Sequence, residues 1–577
     1  MQKMNVHNVM SSMSAIVFLL LCIFCTVDTH LFVYPSLSKS LAFSLCSLFI
    51  AICSMMICGR KSTVTLMSVF MTIWGIYIVI YGLFVPAETY LMYYMLSGIV
   101  FFLAMSRLLR IGLNSFRQIG NGLLLIACIH IIFVVGQKLG LIDPLSDYFQ
   151  ITGSNENPNI TAMYMVGVLP LIYGRMSERR GCILYAALGL VVIGLLLALR
   201  CRTAWIGFMV MVAVYGFMSE HLRQRVMQLS IGRKITACIV AFCLITTGAV
   251  FAYKLKKDSA DGRMLIWKLS AQMIYEHPHG YGYGLFERNY NLRQAKYFAS
   301  GKQSLEECHN ASFVSMAYND YIEQAVEGGV TGAFLFSAFY VIMILKAYRD
   351  KDIEALAVVV AFAVMSLFNF MYSSIQPWIL LLCYGARLNM RGKTVGAEVG
   401  HVFHVIMAFM VCLVLYNQVR MTYSQARLTV YYNDLKVGRS VCIASLEALS
   451  DGIGTSELYS QTKAQAMMRA GNYLGAIDCM NESLKYTSAP GALFIRALCR
   501  LKTGHTDDAE CDLKLISDML PMNMKSRIWQ MRLYDNLKRY DEAMSMAHIV
   551  ANMPAKIVTG ETLRFRREAE EYIKENK

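Results

Sequence analysis

Apolar runs of bilayer-crossing length recur from residue 13 to about residue 420. A spanning helix needs about 20 mostly apolar residues, since each residue rises about 1.5 Å and the hydrocarbon core is about 30 Å thick. The pattern predicts spans near 13–33, 40–58, 63–85, 90–108, 120–137, 160–174, 181–199, 203–218, 235–253, 329–346, 353–371, 377–387 and 402–418. That is about thirteen crossings, with the runs at 160–174 and 377–387 the shortest. The first run follows a weakly basic start and has no small-residue cleavage site, so it reads as a span and not as a removed signal.

One long polar segment, Lys254 to Glu327, interrupts the apolar part. It is rich in Tyr, Arg, Lys, His and Asn and is not of low complexity, which marks a working loop over a site and not a tether. After residue 420 the pattern changes again. Ala476, Ala509 and Ala543 recur at matching positions of a repeat, and each repeat is followed by a proline: Pro490, Pro521, Pro554. This resembles the tetratricopeptide repeat, whose helix pairs bury their apolar faces by stacking. The expected fold is therefore all-α: a polytopic transmembrane helical bundle of about 12–13 spans with a large extracytoplasmic loop and a C-terminal helical-repeat domain. The expected domains are 1–420, containing the 254–327 loop, a helical connector at 421–458, and repeats at 459–577.

Basic residues orient the bundle. Alternate short loops carry Arg60 and Lys61; Arg107, Arg110 and Arg117; Arg175, Arg179 and Arg180; Arg223, Arg225, Arg233 and Lys234; Lys346, Arg349 and Lys351; and Arg387, Arg391 and Lys393. The positive-inside rule then puts the N-terminus in the cytoplasm and the 254–327 loop and the C-terminal repeats outside. In a bacterium this is the inner membrane with the loop in the periplasm.

Composition agrees with this and changes little. The chain is 56% hydrophobic and 16% charged, far from a soluble domain. The net charge of +15 sits largely in short loops, so it is a topological signal and not a nucleic-acid footprint. Cys22 and Cys25 form a CxxC inside an apolar run, where core packing is the expected role. No zinc spacing or disulfide framework is apparent, and Gly280–Gly284 lacks the strand–helix context of a nucleotide loop.

Two arginines break the charge pattern. Arg200 and Arg202 fall in an outside turn between long apolar helices. Snorkelling to the interface would account for them. A phosphate clamp would too, because a guanidinium fork matches phosphate oxygens. Asn157-Pro158-Asn159 leads directly into the next apolar run, which alone is ordinary helix-entry chemistry.

Together these stretches carry a resemblance. The order is Asn-Pro-Asn at 157–159, Arg-Thr-Ala-Trp at 202–205, Gly-Arg-Met-Leu-Ile-Trp at 262–267, His-Pro-His-Gly-Tyr-Gly-Tyr-Gly-Leu-Phe at 277–286, Ala-Tyr-Asn-Asp-Tyr-Ile-Glu at 317–323 and Glu-Gly-Gly-Val-Thr-Gly at 327–332. Over about 150–345 the chain resembles the O-antigen ligase family, which includes O-antigen polymerases and bacterial protein O-oligosaccharyltransferases. The resemblance implies a GT-C-type glycosyltransferase that needs neither metal nor nucleotide. Such an enzyme moves a glycan from undecaprenyl diphosphate to a lipid A core, glycan or protein hydroxyl at the periplasmic face. It assigns the diphosphate to Arg202 and Arg263, with Arg200 an added neighbour, and makes Tyr318, Asn319, Asn157 and Asn159 candidate acceptor or loop residues.

The chain departs from the family where many members place a histidine, here Tyr318. The general base is then His309, the nearest loop histidine, or Asp320, Glu323 or Glu327, with Tyr318 orienting the acceptor. His277 and His279 flank Pro278 in a turn and are expected to be structural. A polymerase of the same family is the nearest alternative. A polysaccharide transporter would show a repeat among its spans and mid-membrane charges, and neither is evident. The repeats would serve a protein partner.

Overall fold

The computed structural model describes residues 2–576 apart from 59–63, 111–115, 147, 177–180, 221–223, 225–227, 229, 233–234, 237–256, 393, 396 and 555–557. The expected span at 235–253 falls largely outside these residues. So do Arg60, Lys61, Arg179, Arg180, Arg223, Arg225, Arg233, Lys234 and Lys393.

The fold is all-α. The helices of the apolar part are α1 (Gln2–Phe24), α2 (Pro35–Cys58), α3 (Leu66–Phe84), α4 (Thr89–Arg110), α5 (Phe116–Lys138), α6 (Pro158–Met176), α7 (Cys182–Leu199) and α8 (Arg202–Met218). The large loop contributes α9 (Lys257–Glu276), α10 (Phe286–Ala299), α11 (Leu305–Asn310) and α12 (Asp320–Glu327). Then come α13 (Gly329–Arg349), α14 (Ile353–Ser366), α15 (Ile375–Met390) and α16 (Ala397–Lys436). The remainder is α17 (Ile443–Glu447), α18 (Ser450–Ile453), α19 (Glu457–Arg469), α20 (Tyr473–Ser483), α21 (Pro490–Lys502), α22 (Thr506–Met519), α23 (Met524–Asn536), α24 (Tyr540–Asn552) and α25 (Gly560–Glu575).

Among the described residues, 7 helices are long and apolar enough to cross a membrane, and Ser12–Phe24, Arg202–Met218 and Ile353–Ser366 are shorter apolar helices. The expected spans at 160–174 and 377–387 are helical but not among the 7. The reason is their position. α15 has 16 residues buried almost all round, and α6 is buried along most of its length around Pro170. A helix covered by neighbours need not present an apolar surface of full bilayer thickness. α16 has 40 residues, about 60 Å of helix, and runs through the expected boundary at 420 because no breaker intervenes before Gly438.

The chain divides into two compact units. The first comprises Met1–Pro86, Tyr90–Leu255 and Tyr318–Ala426. Its turns join each other in two sets. In one, Lys39 reaches Asn155 Oδ1 at 3.3 Å and Gln376 Nε2 donates to the same oxygen at 3.0 Å. In the other, strands β1 (Val64–Thr65) and β2 (Thr394–Val395) pair antiparallel, and Arg387 grips Asp352 through Nε and Nη2, both at 2.9 Å. In that same set Arg175 donates to Arg117 O at 2.8 Å. These pairings match helices that alternate in direction through a slab, as the apolar pattern implies.

The second unit comprises Ala87–Thr89, Lys256–Ala317 and Arg427–Lys577. Residues 256–317 of the long loop and the C-terminal helices from residue 427 onward thus form one body. Within it α9 is tied to α11 by Lys257–Glu306 at 2.6 Å and Lys268–Glu307 at 2.8 Å. Gly280, Gly282 and Gly284 all have positive φ in the turn before α10, a conformation that side chains resist. At Gly284 a Cβ would also stand 2.4 Å from the Glu88 Cβ. In the C-terminal helices Ala476, Ala509 and Ala543 are fully buried, each early in the second helix of a pair.

Candidate active site

The short helix α12 carries the densest buried polar chemistry of the first unit. Its entry is set by Tyr318, a non-glycine residue at φ 52°, a strained conformation. Asn319 then caps the helix, its Oδ1 accepting from Tyr321 N at 3.0 Å and Ile322 N at 3.1 Å. Asp320, Glu323, Gln324 and Glu327 follow at the spacing of one helical face, and all are buried, from 0% to 5% exposed.

Buried carboxyls require partners. Asp320 Oδ2 accepts from Met371 N at 2.9 Å, and the Tyr372 hydroxyl donates to Glu323 Oε1 at 2.9 Å. Tyr94 in turn donates to Tyr372 O at 3.0 Å, and Tyr81 donates to Glu327 O at 2.8 Å. Burial, with the Glu323 carboxylate beside it, holds the Asp320 carboxyl well above the usual carboxylate range. Asp320 and Glu323 therefore lie close together on one buried helix face, with Asp320 held toward its neutral form. Among the described residues, Gln324, fully buried one residue along, finds no hydrogen-bond partner for either amide atom, and neither does Asn369 Nδ2 in the α14–α15 turn. Sequence reading missed both; an amide on an otherwise acidic helix face was the only signal available.

Arg200 and Arg202 share the tight α7–α8 turn. Arg200 is exposed, with φ 48°, at the C-terminal end of α7, where a cation suits the helix dipole. Arg202, half-buried, is the first residue of α8, where a cation opposes the dipole. The residue before it, Cys201, supplies no side-chain cap to α8. A positive side chain at a helix N-terminus is an arrangement that favours an anion.

Asn157 is a turn residue: its Oδ1 accepts from Asn159 N at 2.9 Å as α6 begins. The stretch just before it, Thr152 to Asn155, is buried and held by residues that sequence reading did not single out. Gln137 accepts from Thr152 N and Gly153 N, both at 2.9 Å, and donates to Gly153 O at 2.8 Å. Lys39 donates to Ser154 O.

The remaining candidates belong to the second unit. Arg263 lies on α9, half-buried. His309 is exposed in the last turn of α11. His277 is exposed with its ring 4.7 Å from that of Tyr281, a packing role. Among the described residues no group of three His, Cys, Asp or Glu side chains is arranged to hold a metal ion. The structure therefore brings Tyr318, Asn319, Asp320 and Glu323 together on and before α12, pairs Arg200 with Arg202, and puts Arg263 and His309 on the loop helices.

Residues 165–337 match the family model described as O-antigen ligase. The matched stretch runs from within α6 into α13 and includes both α7–α8 arginines, the large loop and α12. No curated protein matches the chain. With its long apolar helices, the chain is a multi-pass membrane protein in which residues 165–337 are similar to the O-antigen ligase family.

Proposed function

We propose that the protein is a lipid-linked glycan transferase of the ligase type, moving a glycan from undecaprenyl diphosphate to an acceptor hydroxyl at the outer face of the membrane. The acceptor oxygen attacks the anomeric carbon, the bond from that carbon to the diphosphate breaks, and the diphosphate leaves with its lipid. Arg202 holds the leaving diphosphate, with Arg200 near it in the chain, and the family resemblance gives Arg263 a diphosphate-binding role as well. Preorganised cations stabilise the charge that develops there. The acceptor's proton passes to the carboxyl pair of α12.

The observation that carries this reading is the Asp320–Glu323 pair, buried on one face of α12 inside the family-matched stretch. His309, the other base considered, is exposed, and a solvated imidazole is the weaker choice where water must be kept out. Tyr318 and Asn319 set the angle of α12 and so aim the pair. The acceptor class, whether lipid A core, glycan or protein, belongs to the test. With purified full-length chain, lipid-linked donor and chelator present, Glu323→Gln and Asp320→Asn should each abolish glycan transfer while the protein stays folded. Full transfer by both variants returns the base to His309 or Glu327.

A further inference from the structure

The C-terminal repeats have the form of a recruiting module, yet part of their surface is already taken by this chain. Ala295 of α10, 3% exposed, sits in one apolar cluster with Leu493 of α21, Leu513 of α22 and Leu533 of α23. The polar contacts of α10 fall on the open ends of repeat helices. Gln294, fully buried, donates to the O of Met519, the last residue of α22, at 2.8 Å. Arg288 Nε donates to the O of Leu484, the residue capping α20, at 2.8 Å. Glu287 Oε1 accepts from Ser488 N at 3.1 Å, just ahead of α21, whose own cap residue Ala489 offers no side-chain bond.

Helix ends leave backbone groups that need partners from outside the helix. Here α10 supplies those partners to three successive repeat helices and fills the apolar gap between them. We infer that the C-terminal repeats are the scaffold of the large loop, binding residues 256–317 of the same chain through α10. The pattern of end-capping argues for this occupant, because it places side chains opposite backbone groups of fixed position, as a permanently attached helix does. A consequence is that the helices bearing Arg263 and His309 are positioned by the repeats. The inference concerns folding and holds whether or not the chain transfers glycans.

The test is hydrogen exchange on the full-length protein in detergent, read separately for α22 and for α24–α25. The latter pack in their own cluster around Ala547 and Phe565. Ala295→Arg, a change in the loop, should speed exchange in α22 by roughly tenfold or more while leaving α24 and α25 unchanged. Gln294→Met, which keeps the volume and removes the amide's bonds to Met519 O, Ser312 O and the Tyr290 hydroxyl, should act in the same direction by a few-fold. Unchanged α22 exchange in both variants, or an equal rise along the whole C-terminal region, would overturn the inference.

Discussion

The Tyr372 hydroxyl donates to Glu323 Oε1 at 2.9 Å, joining the α14–α15 turn to the acidic face of α12. Tyr372 is itself held by Tyr94, whose hydroxyl reaches Tyr372 O at 3.0 Å. Both tyrosines and the carboxylate are buried, so the bond cannot be replaced by bulk water without opening the bundle.

Tyr372→Phe should therefore cost about 1–3 kcal/mol of stability, the penalty for a buried polar group deprived of its partner. It should also slow transfer, because Glu323 loses the donor that fixes its rotamer. Thermal unfolding together with single-turnover rates measures both. A variant as stable and as fast as the native protein would show that the bond does neither.

Gln324 presents the reverse case. Its amide is fully buried and, among the described residues, without a hydrogen bond, and such groups are costly to keep. Gln324→Met should raise stability by about 1 kcal/mol, since an apolar chain of similar volume removes the penalty. If activity falls as stability rises, the amide serves the reaction. A loss of stability in the melt would mean that the amide is satisfied in the working protein.

The second unit should respond to pH. Burial, with Glu287 and Glu457 near it, pushes the half-buried Glu88 up to about 7. Burial, then Glu287, does the same to Glu457. Glu287 is raised by burial and eased by its bonds to Ser488 and Thr487. Raised carboxyl values mean that the folded form binds protons more tightly than the unfolded one. The stability these groups contribute is then fully present at acidic pH and lost as pH rises through about 7. Exchange protection in α10 and α19, taken relative to the intrinsic amide rate at each pH, should fall between about pH 5 and pH 7, and Glu88→Gln should flatten that fall. A fall of the same size in Glu88→Gln would assign the pH response to other groups.

How much of this was legible in the sequence depended on how local the cause was. The spans were visible because burial in lipid acts on each segment independently, so apolar length alone reports it. α15 and α6 resisted that test because neighbouring helices cover them. The two arginines stood out by breaking a charge pattern, and the structure seats Arg200 in the α7–α8 turn and Arg202 at the start of α8. The acids of α12 were visible as candidates, but their burial was not, since it comes from Met371 and Tyr372 about fifty residues away. The hold of Gln137 on Thr152 and Gly153, and that of Gln294 on Met519, left no periodic trace. Both are single side chains meeting backbone groups across the fold.

The central claim is that the chain transfers a lipid-linked glycan and uses Arg202 on the departing diphosphate. Its most direct test is the release of undecaprenyl diphosphate by purified full-length protein given undecaprenyl-diphosphate-linked glycan and acceptor, with chelator present. The native protein should release it in step with glycan appearing on the acceptor. Arg202→Ala should be slower by about a hundredfold or more, the scale seen when one preorganised donor is removed from a developing anion. Arg202→Lys should recover only part of the rate, because an ammonium keeps the charge and loses the fork. Native-like release by Arg202→Ala would contradict the account.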